Sequence, residues 1–295
     1  MLLENRVAVV TGAGRGIGRQ FALELAAQGA AVVVNDLGVS LRGDAEAEDP
    51  ATSVCREIEA SGGRAVPSHE SVSDFEAAGR IVATAVDTYG RIDILVNNAG
   101  GTVPAPHVED IPELVQKIQG APRSADDFER TVLYHSFAIQ MNLISPLWFA
   151  IRVYRQMATQ DGTGSIINIS SGAGHPAGAP TLVSYGAAKS GLNHMTRSLA
   201  EEWGPKARVN CLALGPTMTD NFQAFVLPAD DPDGREYFAN LPLGRAGEPD
   251  EVGRACVFLC SGEADFINGT TIEIDGGMLP GVLYAAGLKT ITDLL

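Results

Sequence analysis

One stretch near the start of the chain leaves few choices of fold. Val7-Ala8-Val9-Val10 is an unbroken apolar run of the kind a strand buried on both faces requires. It enters Thr11-Gly12-Ala13-Gly14-Arg15-Gly16-Ile17-Gly18. A helical pattern follows over 19–28, with Phe21, Leu23, Leu25 and Ala26 apolar, and Gly29 stops it. Ala31 to Val34 is a second apolar strand, ending in Asn35-Asp36. Strand, glycine turn, helix, strand, acid is the order of a parallel βαβ unit with the makings of a dinucleotide site. Glycines let backbone approach a pyrophosphate, and a helix N-terminus favours its negative charge. A carboxylate at the end of the second strand accepts hydrogen bonds from ribose hydroxyls. A turn that merely shapes the backbone is the bland alternative, and the placed acid argues against it.

A second stretch, Ser184-Tyr185-Gly186-Ala187-Ala188-Lys189, carries chemistry of another kind. On a helix, Tyr185 and Lys189 leave the same face one turn apart. A free tyrosine titrates near pH ~10 and is a poor base at neutral pH. A nearby ammonium favours the phenolate and lowers that value, so the pair can move a proton. Most Tyr/Lys pairs at this spacing are surface contacts, so the pair gains weight only from its surroundings.

Gly12, Gly16 and Gly18 in the pattern T-G-x-x-x-G-x-G, together with Tyr-x-x-x-Lys, resemble the short-chain dehydrogenase/reductase family. The resemblance runs from Arg6 to Gly277, and further landmarks follow in order. Ile92 to Val96 reads as a fourth strand and ends in Asn97-Asn98-Ala99-Gly100. Asn142 stands in M-N-L-I-S-P-L, where Pro146 is expected to kink the helix and free the carbonyl of residue 142. The fifth strand, Gly164 to Ile169, ends in Ser170-Ser171-Gly172. Alternation puts Ser171 on the face of Ile167 and Ile169 and Ser170 on the other, and periodicity does not choose between them. The resemblance chooses Ser171, because S-G-A-G matches the family's segment at the serine. Ser170 stays the alternative.

The resemblance implies a Rossmann-type, doubly wound α/β domain over 1–277, with about seven parallel strands and helices on both faces. Residues 217–245 are the expected substrate-loop region. It implies Asn142, Ser171, Tyr185 and Lys189 as catalytic residues. Tyr185 exchanges the hydroxyl proton, Lys189 lowers its pKa and binds the nicotinamide ribose, Ser171 orients the carbonyl oxygen, and Asn142 holds a relay water. Cofactor contacts are expected from Gly12, Arg15, Gly16, Ile17, Gly18, Asp36, Leu37, Glu70, Ser71, Asn98, Ala99, Gly100, Tyr185, Lys189, Gly215, Thr217 and Thr219. Glu70-Ser71 stands where the family has a short acidic segment beside the adenine, and Glu70 could equally be a solvated loop charge. Leu214 replaces the first proline of the family's Pro-Gly, which puts the shape of that loop in question. The cofactor expected is NAD: Asp36 against a 2′-phosphate would place like charges ~4 Å apart, a repulsion of a few kcal/mol. Arg15 argues for NADP, because a basic residue in this loop meets the extra phosphate in relatives.

The implied reaction interconverts a secondary alcohol and a ketone. The stretch Val32 to Gly38 and the acidic residues after it resemble the dehydrogenase unit of multifunctional enzymes acting on hydroxyacyl-CoA and steroids, which suggests a bulky apolar substrate. An NADP-dependent carbonyl or 3-oxoacyl reductase is the alternative, and a non-enzymatic NAD-binding scaffold would lack Tyr185 or Lys189. Two segments depart from the family: an insertion at about 101–130, and an extra tail at 278–295 that suits a subunit contact. A homo-oligomer, dimer or tetramer, is expected.

Charge narrows the partners. The net charge of −15 repels nucleic acid and anionic membranes. The four cysteines, Cys55, Cys211, Cys256 and Cys260, form no C-x-x-C pair and read as buried reduced thiols. The five histidines show no ligand spacing, so no metal is expected. No apolar run approaches the ~20 residues that span a bilayer, and no leader or address segment stands out, so a cytoplasmic protein is expected.

Overall fold

The computed structural model describes residues 1–38, 49–101, 135–176, 182–228, 230–239 and 241–278. The acidic stretch after Gly38, nearly all of the insertion, and the tail beyond Met278 lie outside them. Seven parallel strands form one sheet: β1 (Val7–Thr11), β2 (Ala31–Asn35), β3 (Arg64–Ser68), β4 (Ile94–Asn97), β5 (Gly164–Ser171), β6 (Ala207–Leu214) and β7 (Thr271–Ile274). Their order is β3-β2-β1-β4-β5-β6-β7. The chain therefore winds outward from β1 in one direction and from β4 in the other. The two halves part at β1/β4, where a doubly wound sheet opens a crevice beyond its strand ends.

The unbroken apolar strands are explained by two cores. Ala8, Val10, Val32 and Val34 face one core, which includes Phe21 and Leu25 of α1 (Gly16–Ala27), Val54 and Ile58 of α2 (Pro50–Ala60) and Val252 and Cys256 of α8 (Pro249–Cys260). Val7, Val9, Ala31 and Val33 face the other. It includes Ile81 of α3 (Phe75–Tyr89), Phe149 and Val153 of α4 (Ser145–Met157) and Leu199 of α5 (Val183–Trp203). Both side-chain sets of a strand are thus buried, and alternation disappears from the sequence. Two short helices, α6 (Asp220–Val226) and α7 (Arg235–Phe238), lie in the expected substrate-loop region.

Local signals place the helix ends. Asp74 caps α3 by accepting from the Ala77 N–H, and Gly90 ends it in the left-handed region at φ +80°. Pro50 and Pro249 occupy the first turns of α2 and α8, where no N–H is needed. At the strands' other end the buried Asp93 accepts from the Val7 N–H at 3.0 Å and twice from Arg91, at 2.8 and 2.6 Å. This ties β1 to β4 far from the crevice.

The helix leading to α4 is not regular. Residues 135–139 are α-helical, and Gln140–Ile144 form a π-helical turn in which the Ser145 N–H donates to the Gln140 carbonyl. Pro146 has no N–H to close the next α-bond, which fits the disruption its sequence position predicts.

Candidate active site

The crevice is built from the glycine turn outward. Gly12 and Gly16 have φ of +63° and +50°, which L side chains rarely adopt. A Cβ on Gly12 would lie 3.0 Å from Ala99 Cα, and one on Gly18 only 2.0 Å from the Gly12 carbonyl oxygen. Backbone fills the space a side chain would need, so the turn stays open to a ligand. Helix α1 starts at Gly16 with no acidic residue in its first turn, leaving its positive end unneutralised. These features fit a pyrophosphate held at the turn.

The turn is pinned to the end of β4. Asn98 Nδ2 donates to the Thr11 carbonyl at 2.9 Å and the Gly12 carbonyl at 3.1 Å. The Thr11 hydroxyl donates to the Val96 carbonyl and accepts from the Asn98 and Ala99 N–H groups. Just past the end of β2, the Asp36 carboxylate accepts from Gly14 N and Gly38 N, each at 3.0 Å. A carboxylate offers about four acceptor sites, so ribose hydroxyls can still be received. Leu37, beside it, is half exposed.

Glu70 takes another partner. Its side chain meets Arg80 Nη2 at 2.8 Å on the surface, while its carbonyl accepts from Asn35 Nδ2 at 2.9 Å. Only the backbone of Glu70 is tied to the end of β2. The Ser71 hydroxyl lies 2.8 Å from that of Ser73.

A cleft of about 220 Å³ joins the remaining elements. Its walls include Ile17, Asn98 and Gly100 on the glycine-turn side, Ser171, Tyr185 and Lys189 opposite, and Gly215, Thr217, Thr219 and Phe222 above. Lys189 is buried, its Nζ donating to the Ile169 carbonyl at 2.7 Å and lying 5.5 Å from the centre of the Tyr185 ring. Burial pulls its pKa down to about 8, and among the described residues no carboxylate is a cause of the shift. The Cys211 thiol, pushed up to about 11 by burial, stays neutral beside it.

The two serines separate as alternation predicts. The buried Ser170 hydroxyl turns to the Lys189 carbonyl at 3.4 Å. Ser171, half exposed, accepts from the Ala173 N–H at 3.2 Å and keeps its hydroxyl proton to give. Asn142 is fully buried in the π turn. Its amide receives the Gly101 N–H at 3.0 Å and donates to the carbonyls of Gly101 at 3.1 Å and Ala138 at 2.9 Å. The amide thus holds the strand-end loop.

The loop after β6, which follows Leu214, is anchored to the end of β7. Gly215 N donates to the Ile274 carbonyl, and a Cβ on Gly215 would meet Asp275 Cα at 2.6 Å. Thr217 bridges to Gly247, and Thr219 caps α6 while lying against Gly16 of the glycine turn. Sequence reasoning missed Thr11, Asn168 and Thr196. The signal for Asn168 was an asparagine inside the apolar run I-I-N-I. Among the described residues there is no His/Cys/Asp/Glu group able to hold a metal, and no helix long and apolar enough to cross a membrane. All four cysteines are free and buried.

Comparison with known proteins agrees over most of the chain. A family profile described as enoyl-(acyl carrier protein) reductase matches residues 12–279. The 7alpha-hydroxysteroid dehydrogenase of Escherichia coli K12 is 30% identical over 276 residues, covering 93% of this chain and 94% of that one. Elsinochrome reductase 1 of Elsinoe fawcettii is 34% identical over 284 residues, 93% and 94% of the two chains. A solved 7 alpha-hydroxysteroid dehydrogenase, complexed with NADH and 7-oxo glycochenodeoxycholic acid, superposes with a TM-score of 0.75 at 29% identity. That match covers 94% of this chain and 96% of the other.

Proposed function

The chain belongs to the short-chain dehydrogenase/reductase family of oxidoreductases, and from that premise we propose that it interconverts a secondary alcohol and a ketone with NAD(H). The observation that carries the reading is the single cleft shared by Tyr185, Lys189, Ser171 and the glycine turn. The nicotinamide, when bound, supplies or accepts the hydride. The chain supplies the rest. Ser171 donates its hydroxyl to the substrate oxygen and orients it. Tyr185 Oη gives that oxygen a proton in reduction and takes it back in oxidation. Lys189 holds the phenol's pKa low, and Asn142 fixes the loop at Gly101 that borders the cleft.

The substrate we propose is bulky and apolar, steroid-like, hydroxyacyl-CoA or cyclic. Phe222 lines the cleft and stacks on Phe238, with ring centres 6.1 Å apart. Met218 and Tyr237 pack on the same cluster. An apolar roof of this kind rewards apolar surface on the ligand. The steroid in the related structure is of that class. The test is NADH formation across secondary alcohols, sterols and hydroxyacyl-CoAs; no turnover of any of these by wild-type enzyme refutes the reading. A homo-oligomer in the cytoplasm remains our expectation for the assembly.

The choice of NAD rests on Asp36, which is fixed by two backbone N–H groups and cannot swing away from a 2′-phosphate. Asp36→Ala is expected to narrow the ratio of kcat/KM for NAD over NADP by about tenfold or more. Equal or greater discrimination in the variant would show that Arg15 or another group sets the preference.

Lys189 gives the reaction a pH limb. Its ammonium is charged below about pH 8 and is lost as pH rises through that value. In the reduction direction, where Tyr185 must also carry its proton, kcat/KM is expected to be level below the limb and to fall above it. The limb belongs to the Tyr185–Lys189 pair. Lys189→Arg keeps its charge throughout and should move the limb upward; an unmoved limb would detach it from Lys189.

A further inference from the structure

Three buried polar side chains outside the described chemistry form a continuous line through the molecule. Asn97, the last residue of β4, stands beside Asn168 of β5 in the sheet register. Asn97 Nδ2 donates to Asn168 Oδ1 at 2.9 Å and to the Pro146 carbonyl of α4 at 3.2 Å. Asn168 Nδ2 donates to Thr196 Oγ1 of α5 at 2.9 Å, and that hydroxyl donates to the Leu192 carbonyl at 2.9 Å. Asn97 is 3% exposed, Asn168 and Thr196 0%.

Each end of the line touches an element that presents a site residue. Pro146 follows the π turn that holds Asn142. Asn97 precedes Asn98, which pins the glycine turn. Asn168 lies on the strand that ends in Ser171. Thr196 lies two turns along α5 from Lys189, on nearly the same face. Apolar side chains slide past one another at small cost, whereas a bond between two amides or an amide and a hydroxyl fixes distance and direction.

We infer that Asn97, Asn168 and Thr196 are positioning residues: their hydrogen-bonded line sets where α5 sits against β5, and so holds Tyr185 and Lys189 in register with Ser171. The inference rests on Tyr185 as the proton carrier. It separates stability from chemistry, because replacing all the partners of buried hydrogen bonds by apolar groups of similar shape can be nearly neutral for stability. The two terminal acceptors, the carbonyls of Pro146 and Leu192, lie within helices α4 and α5, whose own N–H groups can serve them.

The experiment compares wild type, Thr196→Val, Thr196→Ser and the triple variant Asn97→Leu/Asn168→Leu/Thr196→Val. Four readouts are taken: the melting temperature, the NAD+ dissociation constant, steady-state kcat and KM, and the titration of Tyr185 followed by 19F NMR of fluorotyrosine-labelled protein. Tyr185→Phe assigns its resonance among the six tyrosines. Thr196→Val strands one Asn168 donor and is expected to lower the melting temperature, while Thr196→Ser restores it. The triple variant should melt near wild type and bind NAD+ within about twofold, yet titrate at Tyr185 higher by about half a pH unit or more. Its kcat, on any substrate the wild type turns over, should fall about tenfold to a hundredfold at little change in KM. A Tyr185 titration that stays depressed in the triple variant, or a kcat that recovers with the melting temperature, overturns the inference and leaves the proposed function standing. An ordinary titration of Tyr185 in the wild type overturns the proposed function itself. Should the triple variant fail to fold, Thr196→Val against Thr196→Ser decides by the same titration.

Discussion

Tyr185→Phe is expected to lower kcat by about three orders of magnitude while NAD+ binding and melting temperature stay near wild type. The substitution removes one oxygen and keeps the ring. The ring is half buried at the cleft wall, so its packing and the electrostatic contact with Lys189 Nζ, 5.5 Å from its centre, persist. On the proposed function, what is lost is the positioned proton donor. General acid–base groups contribute roughly 10²–10⁴-fold. Tyr185 is placed toward the upper part of that range because, among the described residues of the cleft, the other group of suitable pKa, Lys189, gives its Nζ to the Ile169 carbonyl. Ser171 can orient an oxygen, but a hydroxyl is a far weaker acid than a lysine-supported phenol. Steady-state rates with isothermal titration of NAD+ decide the matter. A variant keeping more than about a tenth of wild-type kcat would place the proton elsewhere, because a tenfold loss is only ~1.4 kcal/mol.

The sequence exposed most of this arrangement because its informative residues act on their own backbone or at fixed spacing. The β1–α1–β2 unit was legible from apolar runs and a glycine turn. The cap at Asp74 and the proline at Pro249 act within one turn of themselves, and both helix starts emerged where those residues predict. The side of each serine on β5 followed from alternation alone. What stayed hidden depends on partners distant in sequence. The link from Asn97 through Asn168 to Thr196 joins three elements, and although Asn97 stands in a landmark motif and Asn168 interrupts an apolar run, nothing local pairs them with each other or with Thr196. Glu70 was an open choice between a cofactor contact and a surface charge, and Arg80, one element later, engages its side chain. Asn142 stood at the expected place, but only the π turn shows that its amide is occupied by Gly101 and Ala138. Leu214, out of keeping with the family, is the buried last residue of β6, and Gly215 after it packs closely against Asp275.

Gly18→Ala sets two known effects against each other, and their magnitudes decide the sign. Gly18 lies inside α1, where alanine is intrinsically favoured over glycine by about 1 kcal/mol. On propensity alone the substitution would stabilise. The added Cβ, however, would lie 2.0 Å from the Gly12 carbonyl oxygen and 2.4 Å from Asn98 Nδ2, both well inside contact distance. Neither neighbour is the free end of a flexible side chain. Gly12 is backbone in a left-handed conformation, and Asn98 is held by bonds to the Thr11 and Gly12 carbonyls. The helix start and the glycine turn must therefore move apart. Overpacking of this kind costs about 1–3 kcal/mol, which cancels or exceeds the propensity gain. The larger effect is expected on the cofactor, because on the proposed function the displaced groups are those that receive the pyrophosphate. NAD+ affinity is expected to fall at least about a hundredfold, equivalent to ~2.7 kcal/mol, with a net loss of stability of up to about 2 kcal/mol. Gly262→Ala is the control: its Cβ would meet nothing nearer than 3.7 Å, so binding should be unchanged. Calorimetric titration and urea denaturation of both variants give the comparison. NAD+ binding by Gly18→Ala within about fivefold of wild type would mean that the turn yields without cost and that the cradle does not depend on the close packing of α1 against Gly12.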